Sequence, residues 1–218
     1  MKKIILIILC FGSILPFYSQ RKSDNLVSYL SLKLSPGLNF FDGDIQPQID
    51  GWKSNIMGNT LGASIDYTGM SILRTGVSCN YNKVAGFNYS YDFTSHQFHL
   101  INNFEINVIP LSRLFGIWLG SGIGINFFDS KLSYSEAQQH FSQVKSNSLI
   151  FPFSLSAEYN ISQNISAGLT LRYLGYSRDD IEGGVGAGQH LNLQGVTNDF
   201  LSLVMLNFTW KFAHHKYW

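Results

Sequence analysis

An alternation of apolar with small or polar residues constrains this chain more than any other feature. In DFLSLVMLNFTWKF, residues 199–212, every second position from Val204 to Phe212 is apolar, while most positions between them are polar. Successive side chains of a β-strand point to opposite faces, so this pattern predicts a strand with one apolar and one polar face. Seven further runs show the same alternation, at residues 30–35, 60–67, 73–81, 98–108, 117–127, 149–159 and 165–173. Asn102, Ser121 and Leu203 depart from the pattern.

The composition of the two faces decides which of them meets water. The polar face is rich in Gly, Ser, Asn and Thr and makes a poor water-exposed coat, but it suits the narrow interior of an eight-stranded barrel. The apolar face carries no charge in any run, and a charge there would cost about 2–4 kcal/mol at the middle of a membrane. Aromatic residues near the ends of runs fit interfacial girdles. They are Tyr67, Tyr81, Tyr159, Tyr173 and Trp210.

The connections between the runs alternate in length. Short ones are expected at residues 68–71, 109–114 and 162–164, and long ones at 41–57, 82–95, 129–147 and 179–198. Tight periplasmic turns and longer outer loops are typical of outer-membrane barrels. The sequence therefore predicts an all-β fold, an eight-stranded antiparallel up-and-down transmembrane β-barrel with both ends on the periplasmic side.

The N-terminus has the features of a secretory signal. Lys2 and Lys3 precede an apolar stretch over residues 4–15 and a polar exit at residues 18–20. We expect a signal peptide over residues 1–20 and the barrel domain over residues 21–218. Cys79 is then the one remaining cysteine, which excludes an internal disulfide. A net charge of +1 without a basic stripe argues against a nucleic-acid partner.

Seven charged residues are expected on the inward face of the barrel. They are Lys33, Asp66, Arg74, Glu105, Glu158, Arg172 and Lys211. Asp66 and Arg74 are equidistant from Met70, so a tight hairpin centred there would place them opposite one another. Because buried charges need partners, we predict a network of Asp66, Arg74 and Glu105 that closes the lumen together with Trp118. A stabilising role is favoured over a role in conducting protons or solutes.

The second long connection is rich in aromatic residues. Tyr81, Phe87, Tyr89, Tyr91 and Phe93 alternate there with small polar residues. Above a membrane they would offer a surface that stacks on sugars or a strand edge for a partner. The alternative is a barrel wall that continues beyond the bilayer, with these rings in its outer girdle.

Catalytic and metal-binding patterns are weak. His140 and Ser142 form an H-x-S motif that, with Glu136, would suit a nucleophilic site. Lipid A deacylases are eight-stranded barrels with such a motif, but theirs continues with Asn, whereas this chain has Gln143. The acidic clusters in FDGDIQPQID and SRDDIEGG are interpreted as solvated turns rather than calcium sites. We predict no catalytic residue, no metal and no cofactor.

Four further segments carry a family resemblance. They are the signal peptide ending in FYSQ, the early GDIQP, FPFSLSAEYNIS, and SRDDIEGG before NDFLSLVMLNFTWKF. With these, the chain resembles the small outer-membrane β-barrels of Bacteroidota, in the broad OmpX/OmpA-like and PorT-like group. The resemblance implies this fold and an outer-membrane location. We predict a non-enzymatic outer-membrane protein whose barrel is a membrane anchor and whose four loops do any recognising. Expected partners are outer-membrane lipid or lipopolysaccharide and envelope proteins, with the chain a monomer or part of a membrane complex. The alternatives are a component of a type IX secretion or surface-assembly complex and a lipid A-modifying acyl hydrolase.

Overall fold

The computed structural model describes residues 27–42, 48–49, 52–53, 56–87, 91–109, 114–134, 139–177 and 200–216. The expected signal peptide lies outside these residues. The described residues form ten strands: β1 Val27–Asp42, β2 Gln48–Ile49, β3 Trp52–Lys53, β4 Ile56–Gly69, β5 Leu73–Phe87, β6 Tyr91–Asn107, β7 Phe115–Tyr134, β8 Gln139–Asn160, β9 Ile165–Tyr176 and β10 Phe200–Lys216. The short strands β2 and β3 pair only with each other. No helix among the described residues is long and apolar enough to cross a membrane.

The other eight strands close into a barrel, as the sequence predicts. Each long strand pairs antiparallel with its neighbours in the chain, and β1 closes the sheet by pairing with both β4 and β10. A path that starts at Leu30 and follows register partners from strand to strand around the wall returns to β1 at Phe40. The path does not return to its starting residue, so the strands are staggered. This stagger makes the strands tilt, as a closed barrel requires.

The first tight turn lies at one end of the barrel, which we call the turn end. Met70 and Ser71 have φ values of 51° and 56°, and the Ile72 N–H donates a hydrogen bond to the Gly69 carbonyl over 3.0 Å. Two successive positive φ values are typical of the type I′ turn, whose twist matches that of the flanking strands. The described ends of β1 and β10, Val27 and Lys216, pair at the turn end, where residues 161–164 also connect β8 to β9. We call the opposite end the loop end.

The position of this turn corrects one prediction. The ladder between β4 and β5 is centred on Ser71 rather than on Met70, so Asp66 lies opposite Gly76. The prediction that Asp66 and Arg74 lie opposite one another is therefore wrong. The two side chains share the inward face, but they are displaced along the strands.

Two of the expected long connections are mostly strand. β5 continues to Phe87 and β6 begins at Tyr91, while β7 continues to Tyr134 and β8 begins at Gln139. The predicted loops at 82–95 and 129–147 are therefore wrong over most of their length. His140 lies in β8 and not in a loop. This agrees with the alternative of a wall that continues past the membrane-facing band.

The apolar face points outward, as predicted. On β10 the outward Trp210 is 63% exposed, whereas the adjacent inward Lys211 is 7% exposed. Exposed large apolar side chains cover the outer wall, among them Leu32, Ile65, Phe104, Ile123, Phe153, Leu171 and Phe208. An apolar wall of this extent is far larger than the patches that soluble monomers expose, and it matches the lipid-facing band of a membrane barrel.

Candidate functional site

A cluster of six charged side chains fills the turn-end half of the lumen, and we call it the lumen cluster. Each member comes from a different strand, and all six side chains are buried. The members are Lys33 on β1, Asp66 on β4, Arg74 on β5, Glu105 on β6, Glu158 on β8 and Arg172 on β9. Three cations face three anions, so the cluster as a whole is neutral.

Arg74 is the centre of the lumen cluster. Its Nη1 and Nη2 donate one hydrogen bond each to the two carboxylate oxygens of Glu158, both over 2.7 Å. Nη1 also donates to Glu105 Oε2 over 3.0 Å, and the guanidinium carbon lies 3.8 Å from the ring centroid of Trp118. A planar guanidinium that bridges two carboxylates and stacks on an indole combines charge with fixed geometry. The pairing of Arg74 with Glu158 reaches across the lumen between strands that are not neighbours.

A second cation completes the pairing of the acids. Lys33 Nζ lies 3.7 Å from Asp66 Oδ2 and 3.6 Å from Glu158 Oε1. The Ser64 hydroxyl donates a hydrogen bond to Asp66 Oδ2 over 2.7 Å. Asp66 is thus held by Lys33 and Ser64. The predicted membership of Arg74, Glu105 and Trp118 agrees with this geometry, but the predicted contact between Asp66 and Arg74 is replaced by the one with Lys33.

Arg172 lies at the edge of the lumen cluster, and Lys211 lies outside it. Arg172 Nη1 lies 3.5 Å from the Ser78 hydroxyl and borders a small polar cavity of about 10 Å³. A space of that size suits about one water molecule. Lys211, the seventh predicted charge, lies apart from the six: its Nζ donates to Asn160 Oδ1 over 2.6 Å and lies 5.1 Å from the ring centroid of Tyr29.

Glycines give the three acids room. Gly76 lies opposite Asp66, Gly120 opposite Glu105, and Gly168 opposite Glu158. A Cβ at Gly120 would lie 2.7 Å from Glu105 Cγ, and a Cβ at Gly76 would collide with the Asp66 carboxylate. The small residues on the polar face therefore do more than fill a narrow barrel, because they leave the space in which the carboxylates meet their cations.

A belt of uncharged polar groups lies on the loop-end side of the lumen cluster. Asn82 Nδ2 lies 3.1 Å from His99 Nδ1, and His99 Nε2 lies 3.2 Å from Gln97 Oε1. The Tyr176 hydroxyl donates to Gln97 Oε1 over 2.8 Å. With Asn82 as donor to Nδ1, the Nε2–H of His99 donates to Gln97, which is the neutral tautomer. The belt thus satisfies a fully buried histidine without a charge.

Apolar side chains fill the loop-end half of the lumen, and we call this cluster the lumen cap. Sequence reasoning missed it. Its buried members are Phe41, Val84, Phe93, Ile101, Phe128, Ile150, Leu174, Tyr176, Leu201, Leu203 and Met205. The Phe41 and Phe93 ring centroids are 5.9 Å apart. The signal was present in residues that fall on the polar face of their strand and yet are apolar, such as Ile101, Ile150 and Leu203.

The predicted aromatic surface is only partly where it was expected. Tyr81 is exposed on the outer wall, and its hydroxyl lies 2.7 Å from His96 Nδ1. Phe93 is 2% exposed and packs inside the barrel, so its predicted place on a binding surface is wrong. Phe87 and Tyr91 lie in strands but their side chains are not described, and Tyr89 lies outside the described residues.

The described residues offer no arrangement that suggests metal chemistry, since no group of three or more His, Cys, Asp or Glu side chains among them is placed to hold a metal ion. The H-x-S residues His140 and Ser142 lie in β8 with side chains that are not described, and Glu136 lies outside the described residues. What the lumen cluster does chemically is to neutralise its own charges.

The described strands have the fold of the small outer-membrane β-barrels. Two solved structures show the same fold: Neisserial surface protein A, with 11% identity over 84% of this chain and 97% of that one and a TM-score of 0.51, and a major outer-membrane protein from Thermus thermophilus, with 14% identity over 85% and 99% and a TM-score of 0.55. No family model matches the chain, and no curated protein matches it. The outer-membrane protease OmpT from Escherichia coli aligns with a TM-score of 0.41, which is too low to carry an argument about catalysis.

Proposed function

We propose that this chain is a non-enzymatic integral outer-membrane protein whose barrel is a sealed anchor and whose loop end makes contacts outside the cell. One observation carries the proposal: the apolar outer wall encloses a lumen that is filled along its length. Lys33 and Arg74 pair with the three acids of the lumen cluster, Arg172 lies 3.5 Å from the Ser78 hydroxyl, and the lumen cap fills the loop-end half of the lumen. A barrel filled in this way holds its position in a membrane and leaves recognition to its outer surface.

Export and location belong to the same proposal. The signal peptide at residues 1–20, the barrel over residues 21–218 and an outer-membrane location fit together, since outer-membrane barrels are exported before they insert. The segments quoted for the resemblance support a Bacteroidota origin in the OmpX/OmpA-like and PorT-like group. A native pull-down from outer membranes tests the partner side of this proposal, including membership of a secretion or surface-assembly complex.

Bilayer conductance tests the sealed anchor. The detergent-purified barrel, reconstituted in a planar lipid bilayer beside an open porin as positive control, is expected to insert and to show no steady ionic conductance. Insertion is checked by measuring how much protein is recovered in the vesicles from which the bilayer is formed. An appreciable, ion-selective conductance that Arg74→Ala abolishes would replace the anchor with a conducting function.

A further inference from the structure

The outer wall changes from apolar to charged along β5, β6, β7 and β8 as these strands approach the loop end. On each strand a large apolar side chain is followed, toward the loop end, by a charged or titratable one. The steps are Tyr81 to Lys83 on β5, Phe98 to His96 on β6, Phe127 to Asp129 on β7, and Leu149 through Asn147 to Lys145 on β8. The apolar band ends here, which places this row where a bilayer gives way to lipid headgroups.

Strand register brings these groups side by side. Lys83 lies opposite His96, His96 opposite Asp129, and Asp129 opposite Lys145. Strands in a sheet are about 4.8 Å apart, so four adjacent strands place the row across about 14 Å. Lys131 lies on the same face of β7, one outward position beyond Asp129. We call Lys83, His96, Lys131 and Lys145, with Asp129, the outer row.

The outer row has an excess of positive charge. Asp129 is its single anion: it pairs with Lys145 over 3.1 Å, and its Oδ1 accepts a hydrogen bond from Gln143 over 2.8 Å. Lys83, Lys131 and Lys145 are all exposed, and Lys145 is 69% exposed even while paired. The row therefore presents several exposed N–H donors of one sign on one side of the barrel.

An aromatic residue on the turn-end side of the outer row, Tyr81, contacts His96 in the row. The Tyr81 hydroxyl lies 2.7 Å from His96 Nδ1, and the two rings stack with centroids 6.1 Å apart. This contact orients the imidazole of His96 between Lys83 and Asp129. A depression of about 340 Å³ lies in the wall beside Asn147, with Ile125, Phe127 and Leu149 as its apolar lining. The cations lie on the loop-end side of this apolar lining. The arrangement suits a lipid, in which a charged headgroup adjoins apolar chains.

The opposite side of the barrel differs. On β9, β10 and β1 the apolar band ends in the stacked rings of Tyr173 and Phe200, 5.1 Å apart, and in Phe40. Among the described outward residues of these three strands at the loop end, the charged one is Asp42. Among the described residues, the exposed lysines of the loop-end wall therefore lie on β5, β7 and β8.

We propose that the outer row binds the phosphate groups of lipids in the outer leaflet, with Lys83, Lys131 and Lys145 as charge partners and His96 as an oriented hydrogen-bonding group. Ammonium groups at the headgroup level attract anionic lipid, and a charge-assisted hydrogen bond to phosphate is among the stronger polar contacts. The depression beside Asn147 receives an apolar part of the same lipid. This inference rests on the proposed function, because it requires the loop end to lie at the outer leaflet.

The test is native mass spectrometry of the full mature chain in an uncharged detergent. The probe is lipid A that carries both phosphates, with lipid A stripped of its phosphates as the comparison. We expect the wild-type barrel to retain the phosphorylated form preferentially. The triple variant Lys83→Gln, Lys131→Gln, Lys145→Gln is expected to weaken that binding roughly 100-fold, from the attraction of three surface lysines. The matched triple Lys→Arg variant keeps the charges and is expected to bind nearly as the wild type does.

Different results would overturn different parts of the proposal. Equal retention of phosphate-free lipid A, or unchanged binding by the triple Gln variant, would overturn the outer row as a phosphate site. Displacement of lipid A by an equal concentration of inorganic phosphate would overturn a lipid as the ligand. All three substitutions lie on the exposed wall, and far-ultraviolet circular dichroism checks that the barrel folds. A barrel that inserts and conducts nothing but fails these tests would leave the proposed function standing.

Discussion

The two halves of the lumen are enclosed by the same wall and filled by opposite chemistry. The turn-end half holds the lumen cluster, in which Arg74 bridges Glu105 and Glu158. The loop-end half holds the lumen cap, in which rings such as Phe41 and Phe93 pack against other apolar side chains. Alternation along a strand therefore fixes only which side chains point inward. What makes the interior stable is decided separately at each depth.

The halves should respond differently to the loss of one side chain. A buried charge depends on its partner, so removing one member leaves another uncompensated. An apolar side chain depends on shape, so removing it leaves a cavity whose cost follows its volume. Substitutions in the two halves separate these two costs as changes in the free energy of unfolding.

Glu158→Ala is expected to have the largest effect. It leaves Arg74 and Lys33 in the lumen without the carboxylate that both contact, and breaking a buried ion pair in this way costs about 3–5 kcal/mol of unfolding free energy. Urea unfolding of the barrel in lipid vesicles measures it. Ser154→Ala, on the same face of β8, is the control and should cost far less. A loss for Glu158→Ala no greater than that of the control would remove the lumen cluster as a stabilising element.

Leu201→Ala tests the lumen cap. Leu201 is fully buried in the cap, and truncation of a buried leucine to alanine costs ~3 kcal/mol. Leu206→Ala on the outer face of β10 is the matched control, since lipid tails fill the space that it vacates. The same unfolding assay compares the two. If the outward variant costs as much as the inward one, the cap is not packed as described.

The double variant Arg74→Met, Glu158→Leu should recover most of what Glu158→Ala loses. Replacing both members of a buried pair with apolar side chains of similar volume is often neutral or stabilising. Lys33 keeps Asp66 as its partner, and Glu105 loses the hydrogen bond from Arg74 but keeps the electrostatic attraction of Lys33 and Arg172. We expect the unfolding free energy to lie within about 1–2 kcal/mol of the wild type, with a clear coupling between the two sites. Additive losses would show that Arg74 and Glu158 act independently.

Asp129→Asn should have the smallest effect. The Asp129–Lys145 pair is short, at 3.1 Å, but Lys145 is exposed, and exposed ion pairs contribute about 0.2–1 kcal/mol. Unfolding at low and high salt measures the loss, which should shrink as salt is added. A salt-independent loss as large as that of Glu158→Ala would mean that burial does not govern the strength of these pairs.

Much of this arrangement follows from the alternation of inward and outward side chains along each strand. Because the interior is reached by every second residue, the sequence suffices to place Lys33, Arg74, Glu105 and Glu158 on one inward face. Their pairing does not follow from parity, since Arg74 on β5 meets Glu158 on β8 only after the barrel has closed. The sequence also places the apolar residues Ile101 and Ile150 on the polar face, and these two residues are the sequence signal for the lumen cap.

The ends of the strands are less predictable. Met70 and Ser71 adopt the positive φ values of a type I′ turn without the Asn or Gly that usually marks one, so the hairpin centre was misplaced. The stretches around residues 82–95 and 129–147 are polar enough to resemble loops, yet backbone pairing continues there because strands above a membrane can present polar side chains on their outer face. Phe93 was misassigned for this reason, since strand parity turns it inward.

The anchor depends on the apolar side chains of the wall facing lipid. Spin labels at positions 169, 170 and 171, introduced one at a time as cysteines in a Cys79→Ser background and reconstituted in vesicles, test it through collision with oxygen and with a water-soluble nickel complex. Labels replacing Leu169 and Leu171 should collide often with oxygen and rarely with nickel, because oxygen concentrates in the hydrocarbon, while a label replacing the buried Thr170 should be shielded from both. Frequent collision with the nickel complex at positions 169 and 171 would show that the apolar wall lies in water and does not face lipid.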